Sequence, residues 1–293
     1  MKDLLLITPP FTQLNTPYPA TVYLKGFLNT KNISSYQIDL GIEVILEIFS
    51  KKGVTEIFNV KPKNLSENAQ RIFALREEDI KTIDEVIAFL QNKKPTLARQ
   101  ICSMNFLPEA SRFNQLDDME YAFGNMGLQD KAKHLATLYL EDLSDYIVEN
   151  IDENFGFSRY AERLGRSANS FDELYEKLQS EKTFVDNFTV EILDKKLLET
   201  KPKLVCFSVP FPGNLYSAFR CAQYIKNHYP KIKTAFGGGF ANTELRDLKD
   251  KRVFEFFDFI TLDDGELPIE LLFENICHFE QSEESLFKRT FLL

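Results

Sequence analysis

The sequence predicts an α/β protein in which a parallel five-stranded sheet is interrupted by a large all-helical insertion. Three observations carry this reading. Short unbroken apolar runs stand at Leu4-Leu5-Leu6-Ile7 and Leu204-Val205-Cys206-Phe207, the form taken by strands buried on both faces of a parallel sheet. A helical pattern and then another strand pattern follow each of them. Between these two strand-rich ends, from about Val54 to Lys201, the pattern is one of helices without strands, with few helix signals from Asn105 to Gly127.

In chain order, residues 3 to 8 form the first buried strand, which stops at Thr8-Pro9-Pro10-Phe11 because two prolines forbid its continuation. Pro19 can open a helix carrying Tyr23, Leu24, Phe27 and Leu28 on one face, and Ser35 to Asp39 reads as the second strand. After Gly41 a short helix runs through Phe49. In the helical block Ile83, Val86, Ile87 and Leu90 keep one face, as do Leu135, Leu138 and Tyr139, and Ser170-Phe171-Asp172-Glu173 has the form of a capping box. The sheet resumes at Leu204. Leu215, Ala218, Phe219, Ala222 and Ile225 then follow at helical spacing, Lys233-Thr234-Ala235-Phe236 returns as a strand, and Phe256 to Leu262 is the fifth. A last helix is expected from Pro268 to about Ile276. Residues 1–54 and 202–293 thus make one Rossmann-like domain with a flavodoxin-like strand order, and 55–201 the helical insertion. Right-handed crossovers bring the loops after Thr8, Ser208, Gly237 and Asp263 to one edge, where such sheets bind ligands.

Composition narrows the function. A formal charge of -9, with no run of Lys or Arg, argues against nucleic-acid binding, which needs concentrated basic surface. The four cysteines, Cys102, Cys206, Cys221 and Cys277, are widely spaced and form no CxxC pair, which fits a reduced cytoplasmic setting. The apolar run at Leu4 to Ile7 is too short for a signal core or a membrane span.

The loops exclude several α/β chemistries. A dinucleotide needs a glycine-rich turn after the first strand, where this chain has prolines. A phospho-acceptor domain needs clustered carboxylates there, and Thr8-Pro9-Pro10 supplies none. A serine hydrolase needs a GxSxG elbow, and Phe207-Ser208-Val209-Pro210 lacks both flanking glycines.

What remains is Ser208-Val209-Pro210, then 211 to 236, then Gly237-Gly238-Gly239-Phe240. Alongside it are the proline-rich loop from Pro9 to Pro19, Gly26, Asp39, and the segment Asp258-Phe259-Ile260 to Gly265-Glu266. Together these resemble the N-terminal cobalamin-binding domain of cobalamin-dependent radical S-adenosylmethionine (Fe-S oxidoreductase) proteins, over about 1 to 50 and 203 to 278. The resemblance implies cobalamin lying across the strand ends, with its dimethylbenzimidazole tail buried in the sheet domain. Ser208 would hydrogen-bond that tail, and Gly237 to Gly239 would leave space for it. It implies a cofactor site built from Pro9, Pro10, Phe11, Asp39, Ser208, Val209, Pro210, Gly237, Gly238, Gly239, Phe240, Asp264, Gly265 and Glu266. The Asp-x-His-x-x-Gly of better-known cobalamin domains is missing, so the implied binding is base-off with no histidine under cobalt. The CxxxCxxC triplet of a [4Fe-4S] cluster is also missing. S-adenosylmethionine and the cluster are accordingly expected in a downstream radical SAM domain, the implied partner, for methyl transfer or a related modification of an unactivated carbon.

Other roles stay open for these residues. Ser208 could bond its own backbone, the glycines could form a turn, and Asp263 or Asp264 could cap the last helix. Phe106, Phe113, Tyr121 and Phe123 could fill the insertion's own core or face the cobalt. A non-catalytic interaction module and a relative that has lost cobalamin are the alternative functions.

Overall fold

The computed structural model describes residues 3–12, 14, 16, 18–62, 64–103, 106–118, 127–166, 171–277 and 290–291. Its strands are β1 Leu4–Thr8, β2 Ser35–Asp39, β3 Leu204–Ser208, β4 Lys233–Gly237, β5 Phe259–Thr261 and β6 Thr290–Phe291. Its helices are α1 Ala20–Thr30, α2 Leu40–Ile48, α3 Lys51–Asn59, α4 Glu67–Ala74, α5 Arg76–Leu90, α6 Ala98–Ile101 and α7 Leu128–Asn150. They continue with α8 Glu162–Arg166, α9 Asp172–Gln179, α10 Phe184–Thr200, α11 Leu215–His228, α12 Gly239–Glu244 and α13 Glu266–Cys277. The sheet order is β2-β1-β3-β4-β5-β6, with β1 to β5 parallel, as expected of a Rossmann-like sheet of flavodoxin-like order. The short β6 adds an antiparallel edge to β5.

Strand β5 is shorter than its apolar run. Residues Lys251–Glu255 wind into a 3-10 turn, and Phe257 is drawn into an aromatic cluster with Phe207, Phe219 and Phe236, at ring separations of 5.0 to 5.7 Å. Asp258 then ties the chain to β4, accepting the Thr234 N–H at 2.8 Å and the Lys226 ammonium at 2.6 Å. These contacts end the run's freedom to pair before Phe259.

The chain divides into two compact units, 1–44 with 157–293, and 45–156. Every regular element described between Val54 and Lys201 is a helix. The expected boundary at 201 nevertheless falls inside the sheet unit, because 157–200 packs with the sheet's own helices. The reason is a buried ion pair. Asp186, on α10, accepts the Tyr216 hydroxyl at 2.7 Å and Arg220 Nε at 3.0 Å, both from α11. Arg220 gives its remaining donors to the Leu178 and Lys177 carbonyls, to Gln223 and to the Tyr216 oxygen. Asp186 also closes a capping box with Thr183, the motif that starts α10. The capping box expected at Ser170 falls partly outside the described residues, and α9 begins after Phe171 with no side-chain cap.

In the helical unit Ile57, Ile83, Val86, Leu135, Tyr139 and Leu143 are buried, as helical spacing requires. Phe58, Phe73 and Tyr146 pack ring to ring. Phe113 is buried in this unit; Tyr121 and Phe123 lie outside the described residues. Two carboxylates share this interior. Asp142 accepts the backbone N–H groups of Ala110 and Arg112, each at 3.1 Å. Asp79 is buried with one carboxylate oxygen unpartnered, and burial, reinforced by the Asp142 charge, pushes its pKa up to about 8.

The folded-state pKa of Asp79 lies above its unfolded value, so its contribution is most favourable below about pH 4. That contribution is lost as pH rises toward about 8. Asp79→Asn is therefore expected to leave the thermal midpoint near wild type at pH 5 and to raise it at pH 8 to 9. A second expectation concerns the buried pair. Asp186→Ala should destabilise the sheet unit by about 3–5 kcal/mol by stranding Arg220. The paired change Asp186→Leu with Arg220→Met should recover most of that, as read from denaturant midpoints.

Candidate functional site

The site is built where the parallel strands end. Residues two apart on a strand share a face, and Leu4, Leu6, Leu204, Cys206 and Ala235 pack with Leu28 of α1 and Ile269 and Leu272 of α13. The last position of each strand on that face is Asp39, Thr8, Ser208, Gly237 and Thr261, a row of small or polar groups. The opposite face carries Phe207 and Phe236. One face is thus filled to the edge by rings, and the other is hollow.

The hollow is a cavity of about 260 Å³. Its floor is Leu6, Cys206 and Ala235, its walls are Thr21 and Leu24 of α1 and Ile269 of α13, and its mouth carries Tyr18, Tyr23 and Asp263 to Glu266. Thr21 donates to Gln37 at 2.8 Å, and Thr261 donates to the Phe236 carbonyl at 3.3 Å. Asn242 uses both ends of its amide on the Asp263 backbone. Ser208, only 7% exposed, lines the cavity and its hydroxyl has no partner among the described residues. Whereas the Ser208 oxygen opens to the cavity, Thr8 Oγ1 in the neighbouring strand is buried without a partner. Buried hydroxyls of this kind usually find a hydrogen bond.

The charges at the mouth are negative. Asp263, held at φ 62°, pairs with Arg246, whereas Asp264 and Glu266 have no ion pair among the described residues. Helix α13 begins at Glu266, two residues before Pro268, and the Gly265 carbonyl accepts the Ile269 N–H.

No protein-family model, curated protein or solved structure matches the chain. The site therefore rests on its own geometry. Of the residues singled out in the sequence, Ser208, Gly237, Gly238, Gly239, Asp264, Gly265 and Glu266 line the cavity. The others lie elsewhere, for identifiable reasons. Pro9 gives its carbonyl to the buried Asn214 amide at 3.0 Å, and Pro10 is buried beside it. Phe11 stacks on Tyr160 at 5.2 Å. Asp39 accepts the Ile42 N–H at 3.2 Å at the start of α2; burial raises its pKa, and the Ile42 and Gly41 amides hold it back. Val209 exchanges backbone hydrogen bonds with the glycine loop, donating to the Gly237 carbonyl at 2.8 Å and accepting from Phe240 N–H at 3.0 Å. Phe240 packs edge-on against Phe236.

The same geometry revises the role of two glycines. A Cβ on Gly238, whose φ is 102°, would lie 2.8 Å from the Val209 N and O, and one on Gly239 would lie 2.9 Å from the Pro210 carbonyl oxygen. Both glycines let the β3 and β4 loops touch backbone to backbone; they do not open space for a ligand. Of the three, Gly237 widens the hollow, its missing Cβ falling 2.6 Å from Thr261 Oγ1. Thr21, Asn242 and Thr261 join the site without having been singled out, and Tyr23 and Leu24, expected only as a helix face, join it too. Two-residue alternation back from Thr261 through Phe259 would have flagged that threonine.

Gly238→Ala is expected to destabilise the protein by about 1–3 kcal/mol, through strain at positive φ and collision with Val209. It should also speed hydrogen exchange at the Val209 and Phe240 amides. Gly26, in the interior of α1 with nothing within 4 Å of its Cβ position, is the control: Gly26→Ala should stabilise by about 0.5–1 kcal/mol.

Proposed function

We propose that the sheet unit binds cobalamin at its strand ends, base-off, and presents it to a radical S-adenosylmethionine domain that carries the iron–sulfur cluster. The observation that carries this reading is the unpartnered Ser208 hydroxyl inside a hollow floored by small and apolar side chains. A volume of about 260 Å³ lies under the roughly 300–1,000 Å³ of pockets that enclose a whole drug-sized ligand. It suits one flat end of a larger molecule whose bulk stays outside. A dimethylbenzimidazole displaced from cobalt has that shape, and a free ring nitrogen to accept from Ser208.

When bound, cobalamin would supply a methyl-carrying cobalt centre. The chain's part is to seat and orient it: Ser208 on the tail, Leu24 and Ile269 against its faces, and Gly237 leaving the entrance clear. On this reading no histidine serves cobalt. In the sheet unit His228 stacks on Tyr224 at the far end of α11, the helix that runs away from the cavity edge, and His278 lies outside the described residues. Tyr23, Phe211 and Leu267 are exposed, at 73%, 56% and 62%, near the same edge. They offer apolar surface for the corrin and the catalytic domain to cover. A pure interaction module would use that surface alone. The buried thiols of Cys206 and Cys221, both pushed up by burial, suit the proposed reducing, cytoplasmic setting. No helix among the described residues is long and apolar enough to cross a membrane.

Mixing the purified protein with hydroxocobalamin and removing free ligand by gel filtration should leave cobalamin bound, with a base-off visible spectrum. Ser208→Ala should weaken binding about tenfold, and Ala235→Phe, checked for folding by circular dichroism, should abolish it. No retention by the wild-type protein at high micromolar ligand would sink the reading.

A further inference from the structure

We infer that the cavity selects the lower base of the corrinoid, accepting a benzimidazole and rejecting a purine. This rests on the cobalamin reading of the site and adds to it a choice among corrinoids with the same ring. The hydrogen-bonding groups of the lining set this choice. Toward the floor the cavity offers Leu6, Cys206 and Ala235, with Leu24 and Ile269 at its sides, none of which supplies a strong donor or acceptor. The Thr21 and Thr261 protons are committed to Gln37 and to the Phe236 carbonyl, and both ends of the Asn242 amide are in use. Toward the floor one donor is left, the Ser208 hydroxyl, while the Tyr18 and Tyr23 hydroxyls and the second Asn242 amide hydrogen stand nearer the mouth.

A dimethylbenzimidazole held through one ring nitrogen has one other ring nitrogen to satisfy, and its methyl groups gain from an apolar floor. The match is one to one. An adenine in the same place brings further ring acceptors and an amino group. The additional ring acceptors would be buried against Leu, Ala or Cys with no donor at the floor to meet them, and a buried polar group left unpaired is strongly disfavoured. A site of this kind rejects a misfit by the groups it cannot pair more than by size.

The test compares three probes on the wild-type protein by equilibrium titration of the visible spectrum: hydroxocobalamin, the corrinoid whose lower base is adenine, and cobinamide, which has no base. Hydroxocobalamin is expected to bind at least about tenfold more tightly than the adenine corrinoid, with cobinamide weaker than hydroxocobalamin by at least as much. Cys206→Ser, close in size and placing a hydroxyl at the floor, should narrow the gap between the two base-bearing corrinoids. Equal affinity for those two would overturn base selection while leaving cobalamin binding intact. Cobinamide binding as well as hydroxocobalamin would show that the base does not occupy the cavity, again with corrinoid binding intact. Failure of all three to bind would remove the cobalamin reading and the inference together.

Discussion

One buried carboxylate, Asp186, fixes where the edge of the sheet unit stands. It caps its own helix through Thr183 and takes the Tyr216 hydroxyl and Arg220 Nε from α11, while Arg220 holds the end of α9 by two carbonyls. Three helices therefore meet at one ion pair. Buried ion pairs are poor evidence of net stability, because desolvation opposes the attraction, but breaking one partner is severe. The pair is best understood as a positional lock. Helix α11 leaves the loop after β3, so its placement also places Asn214, whose amide holds the Pro9 carbonyl. A ring stack from Tyr216 through Tyr160 to Phe11 seats the loop after β1 in the same way.

With the loops locked, the hollow follows from side-chain size alternating along the strands. Phe207 and Phe236 turn to one face and join Phe219 and Phe257. Their neighbours Cys206, Ser208, Ala235 and Gly237 turn to the other. Helices α1 and α13 pack on that second face at Leu28 and Leu272. Near the strand ends they have little to pack on, so space remains between Thr21, Leu24 and Ile269. The cavity is thus a property of the sheet's asymmetry.

Strands β1 and β3 were legible because a strand buried on both faces is a short apolar run, and the order followed from the alternation of strand and helix patterns around them. Ser208 and the glycines were legible as a spacing. The reason for Gly238 and Gly239 was not, since a backbone approach to Val209 and Pro210 joins residues some thirty positions apart. Pro9 to Phe11 marked a loop correctly, yet prolines say where a strand stops and nothing about which way the loop then turns. Asp39 looked like a ligand carboxylate and instead starts α2. The extent of the helical insertion was misjudged at its end, because Asp186 and Arg220 are ordinary charged residues until they meet.

This separation of roles bears on what a glycine motif can report. A relative that kept the fold and bound nothing would still need Gly238 and Gly239, because its two loops would still have to touch. It would have no need of an unpartnered hydroxyl at 208, nor of Cys206 and Ala235 in place of larger apolar residues that would fill the space and add stability. An unfilled volume forgoes packing, and the Ser208 donor faces that volume with no protein partner. Their coincidence in one place, at the edge where open α/β sheets bind, is the strongest physical reason to read the strand ends as a site.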